Sequence, residues 1–106
     1  MTFGLNDHTI QKIKNVFASH SHIEKAILYG SRAKGNFKPG SDIDLALIAP
    51  GLSLPDLFKI ENQLDDLLLP WKIDLSLTHQ ITNQELLNHI ARIGIIFYEK
   101  KNHSAI

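Results

Sequence analysis

Asp42 and Asp44 stand two residues apart in the run Asp42-Ile43-Asp44-Leu45-Ala46-Leu47-Ile48, with no basic residue beside them. An ionised carboxylate withdrawn from water without a counter-charge costs several kcal/mol. Upstream, Gly30-Ser31 closes another apolar run and opens a basic, turn-rich segment holding Arg32, Lys34 and Lys38. Each half of this arrangement has a chemistry. Carboxylates with only oxygen to offer suit a hard divalent cation, and Mg²⁺ is favoured where the protein ligands are too few to enclose the ion. Two such ions about 3.5–4 Å apart make the site of two-metal phosphoryl chemistry. A glycine lets another group approach the backbone closely, and free N–H groups at the start of a short helix point at an anion. The Ser31 hydroxyl can donate to a phosphate oxygen, and Arg32 and Lys34 add charge suited to a triphosphate. The expectation is a phosphate end at Gly30, Ser31, Arg32 and Lys34, and a metal end at Asp42 and Asp44.

The elements that must position these residues follow from periodicity. Asn6 is placed to cap a first helix carrying Ile10, Ile13 and Phe17, with Leu5 and Ile10 as a staple, ending near Ser19. Lys25–Gly30 reads as a strand, Ser31–Lys34 as one helical turn, and Gly35–Ser41 as a loop with Pro39-Gly40. Asp42–Ala49 is a second strand. Ser53, with Pro55 just inside, starts a long helix with the stripe Leu57, Ile60, Leu64 and Leu67, stopped by Pro70. Lys72–Leu77 is a third strand; Thr82 to Glu85 reads as a capping box opening a helix that Gly94 stops, and Ile95–Glu99 is a last strand. The order αβ(α)βαβαβ predicts an α/β (α+β) domain built on a small mixed sheet of about four strands, one face covered by helices. A helix between the second and third strands favours a parallel pair.

Alternation along strands then brings in a third acid. Asp42, Asp44, Ala46 and Ile48 share one face of the second strand, while Ile43, Leu45, Leu47 and Ala49 share the other. Lys72, Asp74 and Ser76 share one face of the third strand. With the strands adjacent, ~4.8 Å apart, Asp74 falls within reach of Asp42 and Asp44. Three carboxylates in so small a volume either take up protons or hold a cation; Lys72 is a rival partner for Asp74.

Composition bounds the rest. The chain has 106 residues, 43% of them apolar, with 11 Lys plus Arg balancing 11 Asp plus Glu. That fits one globular domain over 1–106, with a core of about 5–99 and a frayed tail over 100–106. A formal net charge of zero gives no global grip on nucleic acid, so direct nucleic-acid binding is not expected. There are no cysteines, no apolar run approaches a membrane span and no leader is visible, so a soluble, cytoplasmic protein is expected. The six histidines form no His-x-x-x-His pair on a predicted helix, which argues against a histidine metal site. Trp71, Tyr29 and Tyr98 read as packing residues.

Gly30-Ser31, ten intervening residues, then Asp42-Ile43-Asp44 resembles the Gly-Ser-x10-Asp-x-Asp signature of the DNA polymerase β-like nucleotidyltransferase superfamily. The spelling "YGSRAKGNFKPGSDIDLAL", with "PWKIDLSL" and "IARIGIIFYE", is similar to the minimal nucleotidyltransferase (MNT) domains, over about Lys25 to Glu99. The resemblance implies the polymerase-β-like nucleotidyltransferase fold and two Mg²⁺ ions on Asp42, Asp44 and Asp74. It implies Gly30 and Ser31 on the triphosphate, ATP as donor, and Asp74 as general base on an acceptor hydroxyl. It also implies a partner: MNT proteins are commonly paired with helical HEPN RNases, which they silence as antitoxins by transferring AMP to a tyrosine. Two rivals stay open, transfer to a small hydroxylated molecule with a partner subunit, and neutralisation of a toxin by binding alone.

Overall fold

The structure, a computed structural model, describes residues 2–101. The frayed tail expected over 100–106 therefore lies, from residue 102 onward, outside the described residues. Helix α1 spans Asp7–Ala18, strand β1 Lys25–Tyr29, the short helix α2 Gly30–Lys34 and strand β2 Ile43–Ile48. Helix α3 covers Leu54–Asp65, β3 Ile73–Leu77, α4 Gln84–Ile93 and β4 Ile95–Glu99, with a single 3₁₀ turn at Thr78–Gln80.

Local chemistry sets most boundaries. The Asn6 side chain accepts from the Thr9 N–H at 2.8 Å, and this cap stabilises α1 by about 1 kcal/mol. Ser53 and Asp56 form a reciprocal capping box at α3, with Pro55 in its first turn. The start of α4 corrects the expectation: Asn83, not Thr82, is the cap, because its side chain reaches the Leu86 N–H. Gly94 ends α4 without a left-handed turn; its backbone is extended. Glycine is needed there for space, since a Cβ would run into the Ile90 carbonyl and the Ile27 side chain.

The sheet order is β3-β2-β1-β4. β1 pairs antiparallel with both β2 and β4, while β2 and β3 are parallel and joined through α3, so the sheet is mixed. The apolar faces of the strands, with Leu28, Ile43, Leu45, Leu47, Leu75 and Phe97, meet Ile13 and Phe17 of α1 and Leu57, Ile60 and Leu64 of α3. Each such side chain contributes about 1.5–3 kcal/mol on burial. The opposite face is only partly covered: Ile90 of α4 packs with Tyr29 and Ala46, flanked by Ile27, Ile81 and Leu86. The edge of that patch is where the acids emerge.

Candidate active site

Register fixes the geometry of the acidic face. Tyr29 of β1 is the pairing partner of Asp44 in β2, and Asp44 is the partner of Asp74 in β3. Paired residues project to the same side of a sheet. Tyr29, Asp44 and Asp74 therefore form one row across three strands, with Asp42 two residues before Asp44 at the mouth of β2. Asp42 and Asp74 are exposed, whereas Asp44 is half-buried. Burial pushes the Asp44 carboxyl above the usual range, and the Asp74 and Asp42 charges push it further; Arg32 and His89 act in the opposite sense. The Tyr29 phenol is also raised, mainly by burial and also by Asp44 and Asp74, against a hydrogen bond from Ser76.

Gly30 opens α2 directly after Tyr29 with φ of +74°, a conformation costing other residues ~1–2 kcal/mol. A Cβ there would strike the Asp44 carboxylate, so the glycine serves both the turn and the close approach of that side chain. Ser31 is half-buried in the same turn, and Lys34 is exposed at the far end of α2. Gly30, Ser31 and Asp44 are thus gathered at one corner of the acidic row.

Arg32 departs from the expected phosphate role. Its side chain is 2% exposed. Its nitrogens donate to the carbonyls of Phe3 at 2.8 Å, Ser41 at 2.8 and 3.1 Å, and Pro39 at 3.3 Å. The guanidinium also lies over the rings of Phe37 and Trp71, 5.2 and 5.7 Å from their centroids. With four of its five N–H donors on main-chain carbonyls, Arg32 ties the loop of residues 35–41 to the N-terminal segment. Trp71 takes part in the same clamp, donating its indole N–H to Pro39 at 2.8 Å.

His89 escaped the sequence reading. It reaches across from α4, accepts the Gly30 N–H on Nε2 at 3.2 Å, and sets its ring edge-on to Tyr29. The available signal was a polar residue inside the apolar stripe Leu86, Ile90, Ile93.

The family profile described as "Polymerase beta, Nucleotidyltransferase" matches residues 11–103. The chain belongs to the polymerase beta nucleotidyltransferase family. Among solved structures, a toxin–antitoxin complex with AMP-PNP superposes with a TM-score of 0.69 at 21% identity, over 92% of this chain and 76% of that one. A tri-AMPylated Shewanella oneidensis HEPN toxin in complex with MNT antitoxin gives 0.67 at 17% identity, over 91% and 74%. The toxin–antitoxin pair MntA–HepT gives 0.66 at 18%, over 90% and 74%. These likenesses are of fold. No curated protein sequence matches the chain.

The family implies divalent cations, and the residues that would hold them are those of the acidic row, Asp42, Asp44 and Asp74. Its donors are all carboxylate oxygens, and burial, followed by the charges of Asp74 and Asp42, holds the Asp44 carboxyl above the usual range, which an added positive charge would offset. Among the described residues, no three His, Asp or Glu side chains converge closely enough to hold an ion by themselves. Asp42 and Asp74 are exposed on that face; two clefts of the described residues lie away from it, one of about 790 Å³ between α1 and β4 and one of about 240 Å³ between α3 and the start of β3. No described helix is long and apolar enough to cross a membrane.

Proposed function

We propose that this chain transfers AMP from ATP to a tyrosine hydroxyl of a HEPN-type RNase toxin, and so acts as its antitoxin. The observation that carries the reading is the in-register row of Asp44 and Asp74, with Gly30 and Ser31 at its corner, in a member of the nucleotidyltransferase family. Gly30 and Ser31 hold the triphosphate, and Lys34 adds positive charge at the far end of α2. Asp42, Asp44 and Asp74 hold Mg²⁺, which when bound supplies charge to activate the acceptor and stabilise the leaving oxygen. The acceptor oxygen attacks the α-phosphorus in line. The bond from that phosphorus to the bridging oxygen breaks, pyrophosphate leaves, and Asp74 takes the hydroxyl proton.

The open face supports a protein acceptor. Asp42 and Asp74 are exposed, so a second surface is needed to orient the acceptor and exclude water. The crystallised toxin–antitoxin relatives, one with AMP-PNP and one with a tri-AMPylated HEPN toxin, support the same partner class.

The test is mass spectrometry of a HEPN-type toxin encoded beside this chain, after incubation with the chain, ATP and Mg²⁺. Addition of one or more AMP units to a tyrosine is expected, and loss of that addition in the double variant Asp42→Asn, Asp44→Asn. Transfer by the double variant sinks the metal assignment. Neutralisation of the toxin with no mass shift at any nucleotide replaces catalysis with binding alone.

A further inference from the structure

The geometry points to His89 as a positioning residue: by accepting the Gly30 N–H it locks the turn that presses against Asp44, and so sets the spacing between the two ends of the site. This rests on the nucleotidyl-transfer reading and adds a residue from a helix outside the Gly-Ser and Asp-x-Asp segments. Gly30 follows β1 directly, and its φ of +74° places its Cα against the Asp44 side chain. A left-handed glycine is free to choose other conformations unless something holds it. Helix α2, five residues long, is too short to hold itself. The Tyr29 side chain supplies no cap at its start.

The hold comes from α4. Ile90 of that helix is buried against Tyr29 and Ala46, which anchors the helix to the sheet. One residue earlier, the His89 ring meets Tyr29 edge-on at 6.2 Å and 82°, and Nε2 takes the Gly30 N–H at 3.2 Å. One side chain therefore grips both residues of the strand-to-helix junction. An acceptor at Nε2 requires the tautomer with the proton on Nδ1. Loosening the grip would let Gly30 and Asp44 shift relative to each other without removing any ligand. Such a loss of alignment falls on kcat more than on substrate binding.

The test compares the full-length chain with His89→Leu, which keeps bulk without an acceptor, and His89→Gln, whose side-chain oxygen can stand in for Nε2. The first readout is amide hydrogen exchange at Gly30, followed by NMR. Exchange is expected to be about ten-fold faster in His89→Leu than in wild type or His89→Gln, the equivalent of one net hydrogen bond. The second readout is AMP transfer to the toxin. In His89→Leu, kcat should fall about ten-fold with the KM for ATP changed less than three-fold, and His89→Gln should recover most of the loss. Unchanged Gly30 exchange in His89→Leu overturns the inference, as does equal transfer by all three proteins. A folded His89→Gln as impaired as His89→Leu also overturns it. If wild type transfers nothing, the functional reading falls, and the exchange comparison alone decides whether His89 holds Gly30.

Discussion

Replacing Arg32 by alanine removes, at one stroke, the four hydrogen bonds that join Phe3, Pro39 and Ser41. A hydrogen bond from a charged donor is worth ~1.5–3 kcal/mol net, and the Pro39 contact, at 3.3 Å, is the weakest of the set. Counting the Phe3 and Ser41 acceptors in full gives about 3–6 kcal/mol before relief. Two terms reduce this: the buried charge no longer has to be desolvated, and the neighbouring Lys38, Pro39 and Gly40 are exposed, so water can reach the freed carbonyls. The lost contacts with the Phe37 and Trp71 rings act the other way, at about 0.5–1 kcal/mol each. The balance is a destabilisation of about 3 kcal/mol. For a domain of this size that lowers Tm by roughly 12–24 °C. Arg32→Lys, whose ammonium can meet one or two of the carbonyls but cannot stack as a plane, should lose about 1–2 kcal/mol. Thermal and urea denaturation followed by circular dichroism measure both variants, with AMP-PNP affinity determined on the folded protein at low temperature. A Tm for Arg32→Ala within ~3 °C of wild type, a shift of less than 1 kcal/mol, with affinity reduced ten-fold or more, would refute the clamp. Arg32 would then be a triphosphate ligand after all.

Gly30→Ala should cost ~1–2 kcal/mol from its left-handed backbone alone and abolish AMP transfer by displacing Asp44; a variant that melts and transfers like wild type contradicts the close approach. Asp44 gives a pH dependence whose sign follows from its raised native value. The native state binds that proton more tightly than the unfolded chain, so stability falls as pH rises from the ordinary carboxylate range through the raised native value. In the absence of divalent cations, Asp44→Asn should therefore be at least as stable as wild type at pH 7, with the gap closing at lower pH; urea midpoints across pH 3–8 check this, and a less stable Asp44→Asn at pH 7 counts against it. Mg²⁺ at ten times its dissociation constant should stabilise wild type by about 1.4 kcal/mol. That is a Tm rise of roughly 6–11 °C in scanning calorimetry at constant ionic strength, and it should vanish in the Asp42→Asn, Asp44→Asn double variant.

Much of the frame was legible because it depends on local periodicity. Alternation through Asp42–Ala49 placed Asp42 and Asp44 on one face and the core residues on the other, and the burial of Ile43, Leu45, Leu47 and Ala49 follows that division. The parallel pairing of β2 and β3 was readable from the helix between them, and it brought Asp74 opposite Asp44. Partners that meet over long sequence separations were not readable. Arg32 beside a Gly-Ser turn carries the same local signature whether it faces a phosphate or three carbonyls. What decides is that Phe3 and Trp71, far away in sequence, fold over it. His89 lies 59 residues from Gly30, and only the docking of α4 on the otherwise acidic face brings them together.

Placing Arg32 in the clamp also alters the electrostatics of the acidic row. A guanidinium on the solvent side would neutralise the carboxylates and compete with a cation. Held by main-chain carbonyls, it contributes only its field: it lowers the Asp44 pKa against the effect of burial, Asp74 and Asp42. One fixed guanidinium against three carboxylates leaves the row negative, with its exposed members Asp42 and Asp74 facing outward. The counter-charge missing beside Asp42 and Asp44 in the sequence is thus supplied in part by a residue whose hydrogen bonds go to main-chain carbonyls and not to them, and the remainder is left for what the site binds.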